Sequence, residues 1–387
     1  MEKLLSQGIA ITLGVLVVRM LPWLGYLVLA RRVGVSAKLF GVLLYTGLII
    51  ATKALGDAPS VTWVACGVAY FSLVGCGVHG LAEVLHRGRV TRVAVFILSA
   101  FMYLLLPAVA LPSGIFLFLG WPMMLSSYSY CVDTERLPNR PSLSECLFFM
   151  LVNPVLVFSE RGLDTGCASF VVSGLRRAGL GLIAFAAGLI VLTPAANVIE
   201  EARVSGPLAN ELLLRGVLVI MTHYSLQSGL ASMEIGILRL LGHEIPERFV
   251  YPLLAPSPME FWRRWNTYLG SWIRRYIFAP SALTWTRRKL MPPALAKAGA
   301  VLLAFTTAGV LHDAYVYAAQ SIITTKTTQG FTIAGVTILG WLALGNLMSR
   351  HLRRLNVPSA RWQERALRVA AHMTFAATAS VSFALWG

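Results

Sequence analysis

The chain is 387 residues long, 57% hydrophobic and only 13% charged, with a formal net charge of +16 and a mean hydropathy of +0.69. That composition excludes an ordinary soluble enzyme and describes a polytopic membrane protein. The basic excess does not read as a nucleic-acid footprint, because it is parcelled into alternate loops between apolar runs.

A hydrocarbon core about 30 Å thick needs roughly 20 apolar residues per helix. Spans are accordingly expected near 5–30, 39–56, 61–85, 93–110, 114–130, 178–199, 208–241 (with a break allowed inside it), 293–322, 332–348 and 369–386. The first follows Met1, Glu2 and Lys3 without an obvious small-residue cleavage site, so it reads as a retained helix rather than a removed signal. Arg31, Arg32 and Lys38 follow it; Arg87, Arg89 and Arg92 follow the third span; Arg136, Arg140, Arg161, Arg176 and Arg177 lie between 131 and 177. Further basic groups run from Arg248 to Lys289 and from Arg350 to Arg368, whereas Asp57, Glu200 and Glu201 lie in the opposite loops. The positive-inside rule then puts the arginine-rich loops in the cytoplasm and the N-terminus outside. Arg19 and Lys53 fall in or near apolar spans, where function, snorkelling or a wet groove each account for a charge.

Five cysteines, an odd number without CxxC spacing, predict neither a disulfide framework nor a metal site. Residues 144–158 are too short to cross comfortably and are broken by Asn153 and Pro154, which suggests a re-entrant or interfacial element. Pro246, Pro252, Pro256 and Pro258 predict an irregular link over 245–261, because each removes a donor and biases its predecessor away from helix. The link opens into Phe261-Trp262-Arg263-Arg264-Trp265-Asn266, with Trp272, Arg274 and Arg275 beyond. Basic and aromatic residues mixed in this way suit a membrane headgroup interface.

His312 sits inside the following apolar run. An ionisable residue at that depth costs several kcal/mol unless it faces a cavity or a partner. It reads either as a satisfied structural residue or as a base, since imidazole removes protons near neutral pH. Asn266 cannot act as a base, but its amide can donate to a developing oxyanion or hold an acceptor. His79, His223, His243 and His372 lie in or beside spans and read first as packing or helix-end residues; His86 and His351 adjoin basic loops. His223 differs in immediately preceding Tyr224. Glu211 and Arg215 have the spacing of an ordinary helical ion pair.

The segment from Tyr224 to Tyr276, with FWRRW at 261–265, resembles the signature region of the membrane-bound O-acyltransferases, and GVLHDAYVYA at 309–318 resembles that family's histidine-bearing helix. FFMLVNPVLVF at 148–158 resembles an upstream re-entrant element, so the resemblance covers about 144–320. The nearest branch is the bacterial one of polysaccharide O-acetyltransferases and teichoic-acid D-alanyl transferases. This chain departs from it in carrying Asn266 where a second histidine is usual and Leu311-His312-Asp313 where Trp-His-Gly is usual.

The resemblance implies an all-α, polytopic membrane helix bundle, with about 9–11 transmembrane helices plus re-entrant and interfacial helices around a central tunnel. The whole of 1–387 would form a single integral membrane acyltransferase domain in a bacterial cytoplasmic membrane. An acyl thioester, acyl-CoA or an acyl-carrier protein, enters from the cytoplasm as co-substrate, with no tightly bound cofactor. The acceptor is a hydroxyl, most readily that of a cell-surface polysaccharide. By the same resemblance His312 is the general base and Asn266 the second polar position. Trp262, Arg263, Arg264, Trp265, Tyr268, Trp272, Asp313, Tyr315 and His223 are candidates for substrate binding. Arg263 and Arg264 suit either the phosphates of coenzyme A or phosphopantetheine, or lipid headgroups; Asp313 or Tyr315 is placed to tune the imidazole. Membrane lipid, a carrier protein and an extracytoplasmic protein are the partners in view. A lipid, peptide or small-metabolite acceptor stays open, as does a non-enzymatic transporter.

Overall fold

The computed structural model describes residues 74–88, 91–104, 113–135, 137, 139, 141–151, 155–158, 170–192, 208–240, 243–255, 257–320 and 324–354. The described residues are helical with no β-strand. In chain order they form α1 (74–86), α2 (Arg92–Leu104), α3 (Ser113–Thr134), α4 (Leu143–Leu151), α5 (Phe170–Ala187), α6 (Leu208–Leu240), α7 (Pro258–Arg264), α8 (Thr267–Ile273), α9 (Ala279–Arg287), α10 (Pro293–Gln320) and α11 (Lys326–Arg354). A π-turn, Gly188–Leu192, extends α5, and a second, Arg274–Phe278, joins α8 to α9.

Among the described residues, two helical stretches are long and apolar enough to cross a membrane, Val172–Val191 and Pro293–Ala314. The expected spans at 5–30, 39–56 and 369–386, and most of 61–85, lie outside the described residues. The break allowed within 208–241 does not occur: α6 is one continuous helix of 33 residues, because no proline interrupts it and its Gly229 and Gly236 are used in packing.

The chain divides into two compact units, one of 1–179, 232–246 and 317–322, the other of 180–231, 247–316 and 323–387. In the first, the short α4 starts with a reciprocal cap. The Ser142 N–H donates to Glu145 Oε2 at 2.8 Å and the Glu145 N–H to Ser142 Oγ at 3.4 Å, the capping-box arrangement. At nine residues, α4 is about 14 Å long and too short to cross a bilayer. Phe158 packs edge-on against Tyr130 of α3 and Phe149 of α4, with ring centroids 5.4 and 5.1 Å apart. Tyr130 Oη lies 3.1 Å from His79 Nδ1 of α1, a packing role for that histidine.

In the second unit α5 and α6 approach through glycine. A Cβ on Gly229 of α6 would lie 2.6 Å from the Phe185 nitrogen and 2.8 Å from the Gly181 carbonyl oxygen. Only a residue without a side chain lets the two backbones come that close. This contact sits just beyond the turn of α6 that carries His223 and Tyr224.

Candidate active site

The proline-rich link and the basic aromatic segment fold into one laced unit. Over 245–255 the link is irregular, apart from a single 3₁₀ turn at Pro252–Leu254, whereas 258–261, expected to belong to it, are already helical. α7 then starts with Pro258 in its first turn and Ser257 as N-cap, whose hydroxyl accepts from the Glu260 N–H at 3.2 Å. Glu260 in turn pairs with Arg264 at 3.0 Å and Arg263 at 3.1 Å, one turn further along. Arg264 also reaches the Leu254 carbonyl at 3.5 Å, while the Arg263 side chain is 70% exposed. Of the two arginines, Arg263 presents its guanidinium to the surroundings.

α7 ends at Trp265, and Asn266 turns the chain with φ 40° and ψ 62°, the left-handed region that asparagine tolerates better than most residues. Its side chain does not cap α8. Instead Asn266 Oδ1 accepts from Arg248 Nε at 3.1 Å, and the Arg248 carbonyl accepts from the Thr267 N–H at 2.8 Å. Thr267 Oγ1 donates to the Glu247 carbonyl at 2.7 Å, and the Val250 N–H to the Arg264 carbonyl at 3.0 Å. The break at Asn266 is thereby pinned on both sides to the link at 247–250. The Arg248 guanidinium lies 5.9 Å from the ring centres of both Phe249 and Tyr268, within cation–π range.

The tryptophans separate into different surroundings. Trp265 stacks on Phe261 at 5.3 Å and meets Phe249 at 5.4 Å and Tyr224 at 5.8 Å. Trp262 packs against Phe305 of α10 and Phe331 of α11, each at 5.5 Å. Trp272 is completely buried and packs on Tyr276 at 5.3 Å, and Tyr268 is also buried. These last two read as core of the α8 region. His223 is half-buried on α6, next to the Tyr224 that touches Trp265.

His312 lies on α10 with its ring 4.8 Å from that of Phe331. Its Nδ1 is 2.7 Å from the Ala308 carbonyl oxygen one turn earlier. A carbonyl only accepts, so Nδ1 carries the proton, and in the neutral ring Nε2 holds the lone pair. Phe331 touches both the imidazole and Trp262, and so joins the histidine helix to the FWRRW helix. Asn266 and His312 are held by different partners, Arg248 in one case and Ala308 and Phe331 in the other.

Asp313 takes a position the sequence did not suggest. Its two oxygens accept from the Thr327 N–H at 3.1 Å and the Thr328 N–H at 2.9 Å, and from the Thr328 hydroxyl. The carboxylate is thus aimed at the start of α11. Tyr315 lies on α10, but its side chain is outside the described residues. Phe305 and Phe331 carry no motif and read in sequence only as members of apolar runs. Arg248 was legible as a basic residue, but nothing marked it as the partner of Asn266. Among the described residues no three His, Cys, Asp or Glu side chains gather as a metal site.

Comparison with known proteins bears on the same residues. The model of the membrane-bound O-acyltransferase family, MBOAT, matches residues 196–383. The probable alginate O-acetylase AlgI of Pseudomonas putida is 25% identical over 277 residues, which cover 64% of this chain and 52% of that protein. Its Pseudomonas aeruginosa counterpart is 23% identical over 261 residues, 60% of this chain and 45% of that protein. The Pseudomonas fluorescens protein of the same name is 39% identical over 51 residues, 13% of this chain and 10% of that one. The chain therefore spans about half the length of the curated relatives it matches. The matched stretch takes in Tyr224, the laced turn at Asn266, the aromatic contacts of Trp262 and Trp265, and His312 with Phe331, and over that stretch the chain is similar to the membrane-bound O-acyltransferase family.

Proposed function

We propose that the protein is an O-acyltransferase that moves a short acyl group, acetyl being the simplest, from a cytoplasmic thioester to a hydroxyl of a cell-surface polysaccharide. The observation that carries this reading is the 2.7 Å contact of His312 Nδ1 with the Ala308 carbonyl. It leaves Nε2 as the basic nitrogen on a helix that lies inside the stretch matched by the family model. The alginate O-acetylases named above support a polysaccharide acceptor.

In this mechanism His312 Nε2 takes the proton of the acceptor hydroxyl as its oxygen attacks the thioester carbonyl. The C–O bond forms, the C–S bond breaks, and the departing thiolate receives the proton back from the imidazolium. With Asn266 Oδ1 engaged by Arg248, its amide protons are directed to the acceptor or to the developing oxyanion. Such donors are worth about 3 kcal/mol where they have been removed in other enzymes. Arg263, the more exposed arginine, exchanges its Glu260 pairing for a donor phosphate at little cost, because exposed ion pairs contribute about 0–1 kcal/mol. Trp262, Trp265 and His223 line the approach. The tunnel, the cytoplasmic entry of acyl-CoA or of an acyl-carrier protein, and the N-terminus-outside orientation belong to the same reading.

The test is acyl transfer by purified protein and its His312→Ala variant. Free thiol is followed over a panel of acyl thioesters, with and without polysaccharide, lipid and peptide hydroxyl acceptors. Acceptor-dependent thiol release by the wild type alone is the expected result, and the active acceptor separates a glycan from a lipid or peptide substrate. Equal behaviour of the two proteins across the panel removes His312 from the chemistry and favours a transport role.

A further inference from the structure

The histidine helix and the helix that follows it meet in an arrangement that goes beyond ordinary packing. α11 has no acidic residue in its own first turn, so its first N–H groups lack the usual carboxylate partner. The Lys326 N–H is taken by Thr324 Oγ1 at 3.2 Å, and the next two, of Thr327 and Thr328, are taken by Asp313 across from α10. One turn before Asp313, Gly309 lets the two backbones touch: a Cβ there would lie 2.4 Å from Thr328 Cα. Thr306 Oγ1 meets Thr332 Oγ1 at 3.1 Å one further turn along. Thr306, Gly309 and Asp313 recur at the spacing of one helical face. The turn of α11 that they grip also carries Phe331, whose ring lies against His312.

We infer that Asp313, Gly309 and Phe331 form a positioning clamp for His312, in which Asp313 fixes the start of α11 so that Phe331 braces the imidazole. The backbone bond to Ala308 fixes the tautomer, and the clamp fixes the direction in which Nε2 points. Asp313 is a positioning residue here, acting through α11 rather than on substrate. The inference rests on His312 being the base, but its geometry is local and has a readout of its own.

Asp313→Ala removes all three bonds, Asp313→Asn keeps one acceptor oxygen, Gly309→Ala forces the backbones apart and Phe331→Leu removes the brace alone. Each variant is purified in detergent, and its folded fraction is taken from monodisperse elution. The folded protein is then treated with diethyl pyrocarbonate, and modification of each histidine is followed by peptide mass spectrometry. The clamp predicts that His312 reacts at least about threefold faster in Asp313→Ala and Phe331→Leu, and less so in Asp313→Asn, while buried His243 keeps its wild-type rate. Unchanged His312 reactivity in folded variants overturns the clamp, and so does a parallel rise at His243, which marks general loosening. In the transfer assay kcat per folded molecule is expected to fall about tenfold or more, with KM for the thioester within about threefold of wild type. A role confined to stability leaves kcat per folded molecule unaltered. Absence of transfer by wild-type protein sinks the acyltransferase reading but leaves the modification experiment to decide the clamp.

Discussion

His312 and Asn266 show how differently two polar residues are held. The imidazole is tied to its own helix at Ala308, which sets its tautomer and leaves Nε2 as the basic nitrogen. What distinguishes it is the company of Phe331 and the family match around it. His312→Gln preserves size and polarity without a base, and is expected to lower transfer by about 10²–10⁴-fold with little change in melting temperature, as read by steady-state thiol release beside thermal denaturation. Asn266 combines a backbone task and a side-chain task, and two substitutions separate them. Asn266→Gly keeps the left-handed turn and loses the amide. Asn266→Ala loses the amide and adds strain of about 1 kcal/mol at positive φ. Both variants are expected to lose transfer, but Asn266→Ala is expected to melt below Asn266→Gly. Equal melting temperatures sink the strain argument.

Short helices of this chain depend on end chemistry, and its long ones on close approach. α7 has only seven residues, below the length at which helix propensity sustains itself, so Ser257, Pro258 and Glu260 carry much of its definition. Ser257→Ala is expected to cost about 1 kcal/mol, seen as a lower melting temperature together with faster proteolysis within 248–267. α6 relies instead on Gly229. Its replacement by alanine drives a methyl into the α5 backbone at Phe185, and overpacking of this kind costs about 1–3 kcal/mol. The expected result is a lower yield of monodisperse protein, with loss of transfer in proportion to the folded fraction. A fall in transfer beyond that fraction would show that the α5 contact also shapes the site.

For the molecule as a whole, charge distribution is the main determinant of how it sits in the bilayer. The group from Arg248 to Lys289 includes exposed Arg263, Arg274, Arg287 and Lys289, and these charges resist translocation. Single cysteines at 263 and 289 in a cysteine-free background are expected to react with membrane-impermeant maleimide in inverted vesicles and not in intact spheroplasts. The reverse pattern would overturn the assigned orientation and the cytoplasmic entry of the donor. The candidate spans at 172–191 and 293–314 account for only part of a crossing pattern, so labelling at 38 and 87 extends the test to the N-terminal half.

Several features of this protein are set by sequence alone, because they are local or statistical. Apolar run length points to the helical membrane class, prolines fix the irregular link before α7, and the FWRRW and GVLHDAYVYA segments carry the resemblance to the matched family. His312 and Asn266 stood out as candidates for the same reason, each lying inside a recognisable segment. Tertiary structure alone decided what these residues touch. Tyr268 and Trp272, candidates for binding in the sequence, are buried in the α8 region, since aromatic composition does not say which face of α8 is buried. Arg263 and Arg264 read alike, yet Glu260 and the Leu254 carbonyl hold Arg264 while Arg263 stays exposed. Asp313 read as a neighbour of His312 but serves another helix, because adjacent residues on a helix point about 100° apart. Phe331 and Arg248 were invisible as partners: their contacts span α10 to α11 and the link to the α7–α8 break, and no sequence period encodes a contact between separate elements.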